Sequence, residues 1–213
     1  RRKVGMAACG VIFLHESEAI VGREHACLVE MFEMELARAA ERGPILDLAC
    51  GTGRNGLYLV ANRMSVVFAD ADPAALAQVR SALTDPMYQS TRELADLWRV
   101  DFELGQSRPL ENRRFGAIMV FRYLYRPLIE PIRQAVLPGG MVIYETFTVD
   151  QPKFGRPKNP DYLLRHGELP GYFEDWDILH RFEGVQDGRE GGSPRATSRI
   201  VAIKPGQPMT PVG

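Results

Sequence analysis

The sequence predicts an α/β fold: a doubly wound, mostly parallel seven-stranded sheet with a C-terminal antiparallel hairpin. Three observations carry that expectation. Short apolar runs at residues 45–49, 65–69, 97–100, 115–121 and 141–145 alternate with polar or helix-like stretches, the pattern of parallel strands joined by crossovers. The first run ends in Cys50-Gly51-Thr52-Gly53 and leads into a helix-like segment, so a strand, a glycine bend and a helix follow one another. Two last runs, at 177–183 and 198–204, flank a stretch holding Gly184, Gly188, Gly191 and Gly192, as a closing hairpin does.

Each element has its own signal. Residues 16–42 have helical character: Ala26, Val29, Phe32 and Leu36 recur three or four apart, and Gly43-Pro44 stops the run. Ile45–Ala49 is apolar except for Asp47, as in a strand covered on both faces. The glycine turn and its helix fill 50–62. Ser65–Ala69 is the second strand and ends at Asp70; Asp72-Pro73 then opens a helix as N-cap and first residue, with Ala74 to Ala82 continuing it. Residues 83–95 carry no period and form a loop or short helix. Leu97–Val100 is a short strand ending at Asp101, and 103–114 is loop-like. Phe115–Phe121 is the central strand. Pro127 to Val136 is a helix ended by Leu137-Pro138-Gly139-Gly140, and Met141–Glu145 is the next strand. Residues 150–175 are rich in Pro, Gly, Lys and Arg, but Leu163, Leu164 and Leu169 give them something to bury; an ordered lid-like insertion is expected.

Composition bounds the function. The 213 residues suit a single domain, with 1–15 as a flexible lead-in and 205–213 as a tail. A formal net charge of −1 leaves no global basic field to hold nucleic acid. Arg108, Arg113 and Arg114 read as a solvated loop rather than a binding patch. Cys9, Cys27 and Cys50 have no framework spacing and fit free thiols in a reducing, cytoplasmic setting. No apolar run reaches the ~18 residues of a membrane span. The four histidines have no paired ligand spacing, so no metal is expected. The partner expected is a small molecule, with a monomer or weak homodimer as the assembly.

Ligands of open α/β sheets bind outside the carboxyl ends of the strands, and the residues there are distinctive. Asp47 places a carboxylate where a ligand amine can sit. Gly51 and Gly53 let backbone approach a ligand closely, and the amides of the following helix start face the same space. Asp70 stands at the end of the second strand, about twenty residues after the glycine turn, where a carboxylate can accept both hydroxyls of a ribose. Asp101 with Phe102 suits an adenine. Gly51, Gly53 and Gly56 also spell Gly-x-Gly-x-x-Gly, a pattern shared with dinucleotide sites, but an acid inside the strand and Ala49-Cys50 before the turn argue against a nicotinamide or flavin.

The acid followed by the glycine turn, the Asp70 signal and the Pro-Gly-Gly before the fifth strand resemble class I S-adenosylmethionine (SAM) methyltransferases, over about residues 30 to 204. A narrower likeness lies in Tyr123-Leu124-Tyr125-Arg126-Pro127-Leu128, in Pro138-Gly139-Gly140 with Tyr144-Glu145-Thr146-Phe147, and in Phe154-Gly155-Arg156-Pro157-Lys158-Asn159-Pro160-Asp161-Tyr162-Leu163-Leu164. These are similar to the bacterial tellurite-resistance-like methyltransferases. The chain departs from that group at Tyr125 and His166, where His and Pro are expected, and has Arg122 where many methyltransferases carry a small or amide residue. The resemblance implies SAM as cofactor, held by Asp47, Ala49, Cys50, Gly51, Gly53, Asn55, Asp70, Ala71, Asp101, Phe102 and Phe121. It implies transfer of the methyl to a small-molecule acceptor by in-line displacement. Tyr123, Tyr125, Arg122 and Glu145 are the candidates near the methyl group, with an Arg122–Glu145 ion pair as their structural alternative. Phe154, Arg156, Lys158 and Asn159 are candidates to close over the acceptor. The competing expectations are a SAM-binding protein without transferase activity and a methyltransferase acting on RNA or protein.

Overall fold

The structure, a computed structural model, describes residues 26–104, 108–186 and 193–206. Its helices are α1 (Cys27–Met31), α2 (Glu33–Ala40), α3 (Arg54–Ala61), α4 (Pro73–Ala82), α5 (Ile129–Ala135) and α6 (Glu168–Gly171). Its strands are β1 (Ile45–Leu48), β2 (Val66–Asp70), β3 (Ala95–Arg99), β4 (Phe115–Phe121), β5 (Val136–Phe147), β6 (Asp177–Gln186) and β7 (Arg195–Ile203). They form one sheet in the order β3-β2-β1-β4-β5-β7-β6. β3 through β5 run parallel, and β7 is antiparallel to both β5 and β6. The chain order reverses between β1 and β4, so the first two crossovers leave β1 one way and the later ones the other. The predicted fold class is what is observed.

Side-chain alternation sorts the core into two layers. Ile45, Val66, Phe68, Ala117, Met119 and Val201 face α1 to α4. Leu46, Leu48, Val67, Ile118, Val120 and Ile200 face α5, α6 and the crossover loop after β3. β1 is buried throughout, which explains its near-continuous apolar run. Edge strand β3 is half exposed. Pro73 at the first helical position and Asp72 Oδ1 accepting from the Ala74 N–H at 2.8 Å start α4 as the sequence predicts.

Boundaries differ from the sequence reading at several elements; β6 and β7, for example, extend to Gln186 and start at Arg195. The helix expected over 16–42 lies partly outside the described residues; its described part breaks at Phe32 (φ −116°, ψ 27°) and ends at Ala40. The third strand is Ala95–Arg99 rather than Leu97–Val100, because its pairing with β2 from Val66 to Asp70 fixes its limits. Leu-Pro-Gly-Gly does not separate α5 from β5 but lies within the strand. Phe115 pairs with Val136 and Ala117 with Met141, so the extra residues bulge out. Gly139 N–H donates to Lys204 O at 2.9 Å and Lys204 N–H to Gly140 O at 2.8 Å, which folds that bulge onto the end of β7.

Residues 148–172 are ordered and stapled to the sheet. Leu164 N–H donates to Phe147 O and Val149 N–H to Leu164 O, both at 2.9 Å. Leu163, Leu164 and Leu169 are buried, as expected of the apolar residues in this segment. Arg126, just after β4, clamps the segment from below: Nε donates to Glu168 Oε1 at 2.6 Å, and Nη2 to Glu168 Oε2 at 3.0 Å and to Leu163 O at 2.8 Å. The Gln151 amide, 3% exposed, accepts from Ala196 N–H and donates to Arg156 O. Of the glycines expected in the turn between β6 and β7, Gly184 lies within β6, paired with Thr197, because the strand runs on to Gln186; Gly188, Gly191 and Gly192 fall outside the described residues.

Candidate functional site

The turn after β1 is built to hold backbone amides apart around a space. Ala49, Gly51 and Gly53 all take left-handed φ values, 53°, 54° and 72°. At Gly53 a Cβ would meet Val79 Cγ2 at 2.6 Å, so glycine is needed there for packing as well as for φ. At Gly51 a Cβ would meet nothing within 4 Å: this glycine borders open space, as a ligand-facing turn requires. Asp70 fixes the turn from the side. Its Oδ2 accepts from Gly51 N–H at 2.8 Å and its Oδ1 from Asp72 N–H at 2.9 Å. Each oxygen keeps lone-pair capacity beyond these bonds.

Asp47 is 3% exposed, and its Oδ2 accepts from Gly56 N–H at the start of α3, at 3.0 Å. Burial pushes its carboxyl up to about 7, against the Gly56 hydrogen bond and the charge of Arg54. A carboxyl so destabilised as an anion gains from a cation placed beside it. Cys50 is half-buried, and burial together with Asp47 and Asp70 pushes its thiol up; it stands in the turn as a packing residue. Asn55 is 4% exposed and its Oδ1 accepts from Ala26 N–H at 2.8 Å, which ties the start of α1 to the first turn of α3.

At the β3 tip, Asp101 Oδ1 accepts from Glu103 N–H at 2.9 Å, curling the loop over Phe102. The Phe102 ring meets Trp98 edge-on at 5.7 Å, and Arg113 stacks on the other ring system at 3.8 Å from the Trp98 centroid. Arg113 is thus a local structural cation, Arg108 pairs with Glu111, and Arg114 bonds to loop carbonyls. Ala71 follows Asp70 into solvent.

The four candidates after β4 and β5 separate into different surroundings. Arg122 adopts φ 59°, and its N–H donates to Glu145 O at 2.8 Å. Burial and then the charges of Arg54 and Arg195 push its guanidinium below its ordinary value, with Glu145 acting the other way. The Glu145 carboxylate is paired with Arg199, not with Arg122: Arg199 Nε lies 2.6 Å from Glu145 Oε2. The approach is that of an ion pair off the N–H axis, since that Nε has no hydrogen-bond acceptor in line. The two residues sit opposite each other on β5 and β7, in a row with Phe121 on β4 and Phe182 on β6. Tyr123 packs against the layer of α5 and α6, its carbonyl accepts from Tyr144 Oη at 3.1 Å, and burial followed by the charge of Glu103 pushes its phenol up. Tyr125 lines a groove of about 370 Å³ with Phe102, Leu110 and Leu128. Arg199 was not among the sequence candidates. A charge opposite Glu145 could have been sought on the predicted hairpin, but only the register names it. Among the described residues, no group of three or more His, Cys, Asp or Glu is placed to hold a metal ion, and no helix is long and apolar enough to cross a membrane.

A strand order with β7 inserted antiparallel between β5 and β6, and a glycine turn at the switch point, define a Rossmann-like methyltransferase fold. The sequence matches the family of the tellurite resistance protein TehB over residues 29–191, and the chain belongs to that family. Among solved structures it is similar to TehB from Haemophilus influenzae, with a TM-score of 0.61 and 18% identity over 81% of this chain and 62% of that one. It is also similar to magnesium protoporphyrin IX methyltransferase (ChlM) from Synechocystis PCC 6803 with bound SAM, with a TM-score of 0.55 and 14% identity over 82% of this chain and 78% of that one. A relative named hemagglutinin 1, from Eikenella corrodens, is 28% identical over 147 residues, 66% of this chain and 46% of that protein. The chain therefore spans about half the length of that relative.

Proposed function

We propose that this chain transfers a methyl group from SAM to a small-molecule acceptor. The observation that carries the reading is the open space at Gly51, bordered by the left-handed turn and by the carboxylates Asp47 and Asp70. Those three groups have the chemistry to receive an amine, a carboxylate and a ribose. Similarity to a methyltransferase solved with SAM bound supports the same cofactor.

Each residue has a role in this reading. Asp47 faces the amino group, and the cation offsets the cost of its buried charge. The amides of the Gly51–Gly53 turn and of the α3 start hold the carboxylate. Asp70 accepts from the ribose hydroxyls through its remaining lone pairs, and Asp101 and Phe102 frame the adenine. Ala49, Cys50, Asn55, Ala71 and Phe121 shape the walls. Bound SAM supplies an electrophilic methyl on a sulfonium that leaves as a neutral thioether. The protein then has chiefly to align the acceptor and exclude water, and alignment alone lowers such a barrier by up to about 7–11 kcal/mol. Arg122 and the Glu145–Arg199 pair stand at the β4 and β5 tips as groups that orient a polar acceptor; Tyr125 stands farther along the wall.

Incubating the protein with isotopically labelled SAM and a metabolite extract, followed by mass spectrometry, tests the reaction. A labelled small product is expected; label found only in RNA or protein would overturn the small-molecule acceptor. Titration with S-adenosylhomocysteine tests the site. Asp70→Ala is expected to weaken binding tenfold or more, on the order of 1.4 kcal/mol, and an unchanged titration would remove Asp70 from the ribose position.

A further inference from the structure

The two edges of the sheet are unlike. β3 is 5 residues long, whereas β6 is 10 residues long and has β7 on one side only. Among the described residues no strand pairs with the outer edge of β6, so its outward N–H and C=O groups form a row that can receive another strand. Its side chains alternate. His180 and Phe182 are half-buried on the α1 to α4 face: the His180 ring lies 6.0 Å from that of Phe32, and the Arg199 guanidinium lies 5.6 Å from the Phe182 ring. Arg181, Glu183 and Val185, paired with Ile200, Ser198 and Ala196 on the α5–α6 face, are exposed. Leu179 is the extra residue of a bulge between Ile178 and His180. Val185 is 51% exposed and Leu179 44%, so this long edge carries apolar surface that nothing described covers.

The β6 sequence complements itself in one register. When two copies of a strand pair antiparallel about a twofold axis normal to the sheet, residues directly opposite share a face. One residue then lies on the axis and its neighbours pair outward in order. An axis at Arg181 sets that cation against its own copy, and an axis at Glu183 does the same to an anion; like charges directly opposite destabilise a ladder. An axis at His180 brings the bulge into the ladder, and an axis at Gly184 sets the Glu183 carboxylate against Val185. An axis at Phe182 sets Arg181 opposite Glu183 and Leu179 opposite Val185, each twice by symmetry, and sets His180 opposite Gly184, which has no side chain to obstruct it. Opposite residues have Cβ atoms about 4.5–5.5 Å apart, close enough for an ion pair. Both oxygens of Glu183 accept from Gly167 N–H at 3.1 Å, which fixes the carboxylate on that face and leaves it lone pairs for a guanidinium.

We propose that β6 is a dimer interface: it pairs with β6 of a second copy of this chain, antiparallel about an axis at Phe182, so that one sheet runs through both copies. The axis stands at the outer end of the row Phe121, Glu145, Arg199 and Phe182, and each copy covers that end of the other's row. The ladder is short, because the bulge bends the strand away beyond Leu179. A contact of this size lies at the weak end of specific interfaces, so a monomer–dimer equilibrium at micromolar concentrations is expected. The interface is independent of the cofactor and acceptor assigned above.

Sedimentation velocity of the full chain, from micromolar to hundreds of micromolar, tests this. Wild type is expected to pass from monomer to dimer across the series. Arg181→Glu sets anions opposite each other at two positions and is expected to weaken association roughly tenfold or more. Val185→Lys, which puts a charge opposite Leu179, is expected to weaken it likewise. Arg99→Glu, the same charge change on edge strand β3, is expected to leave it unchanged. Glu183→Arg sets cations opposite each other and is expected to be monomeric alone, but mixed with Arg181→Glu it pairs a cationic strand with an anionic one, and a heterodimer is expected. Arg181 and Val185 are exposed, so their variants are expected to melt near wild type at low concentration. They carry the test even where Glu183→Arg, which also loses the Gly167 contact, does not fold. A wild type that stays monomeric throughout would overturn a second copy as the occupant of this edge. A dimer that Arg181→Glu and Val185→Lys leave intact, or two folded charge variants that form no heterodimer, would overturn the register and the interface with it.

Discussion

Single residues in the turn after β1 show how much of the site is legible in sequence. The identity of Asp47, Gly51, Gly53 and Asp70 pointed to an amine, a backbone approach and a ribose, and all four converge around one bend. What the sequence hid is conformation. Ala49 reads as an ordinary small strand residue, yet it sits at φ 53°, a region that costs an L-residue about 1–2 kcal/mol. Substitution separates the backbone from the side chain here. Ala49→Gly relieves that strain but loses about 0.5–1 kcal/mol through the freer unfolded chain, so its unfolding free energy is expected to lie within about 1 kcal/mol of wild type. Ala49→Val puts a β-branched side chain where φ is positive and is expected to cost 2 kcal/mol or more. Urea unfolding of the two variants checks the contrast, and equal stabilities would mean that residue 49 is not left-handed.

At the level of elements, the parallel strands and α3 to α5 were readable because each carries its own period, cap or glycine. Register and partner choice were not, because they depend on residues far apart in the chain. Glu145 was visible as a strand-end acid, but its pairing with Arg199 follows from the antiparallel register of β5 and β7. The same holds for the clamp on 148–172. Its Pro- and Gly-rich composition announced an insertion, while the fixing contact comes from Arg126, more than thirty residues earlier. Glu168 is the hub: besides two contacts with Arg126 it accepts from Tyr172 Oη at 2.6 Å and from Arg165 N–H at 2.7 Å. Glu168→Gln keeps the shape and loses the charge, and hydrogen bonds to a charged group contribute about 1.5–3 kcal/mol. At pH 7 the variant is expected to melt roughly 3–12 °C below wild type. Limited proteolysis is expected to cut first within 150–165. A variant with wild-type melting and cleavage would mean that the clamp does not hold the segment.

For the molecule as a whole, Asp47 and Glu168 make stability depend on pH in opposite directions. Asp47, held at about 7 by burial, binds a proton more tightly folded than unfolded, so its contribution is fully present below about pH 4 and is lost as pH rises to about 7. Burial pushes Glu168 up, but the bonds from Arg126, Tyr172 and Arg165 N–H outweigh it and hold the carboxyl at about 2. Its contribution is present above about pH 4.5 and is lost as pH falls toward 2. His180, pushed below its ordinary value by burial and then by Arg199, also costs stability as pH drops through the range where the unfolded imidazole protonates. Differences between wild type and variants isolate each group from the rest. The stability gained by Asp47→Asn is expected to grow from pH 4 to pH 7 and level off above it, because the amide keeps an acceptor for Gly56 N–H and removes the buried charge. The stability lost by Glu168→Gln is expected to shrink from pH 4.5 toward pH 2. Ligand reverses the first effect: with saturating S-adenosylhomocysteine, whose ammonium supplies the missing cation, wild type is expected to gain more than Asp47→Asn at pH 8. Thermal melts across pH 3–9, with and without that ligand, check both curves. An Asp47→Asn advantage that stays flat with pH would mean the buried carboxyl is ionised throughout and is stabilised by something other than a bound amine.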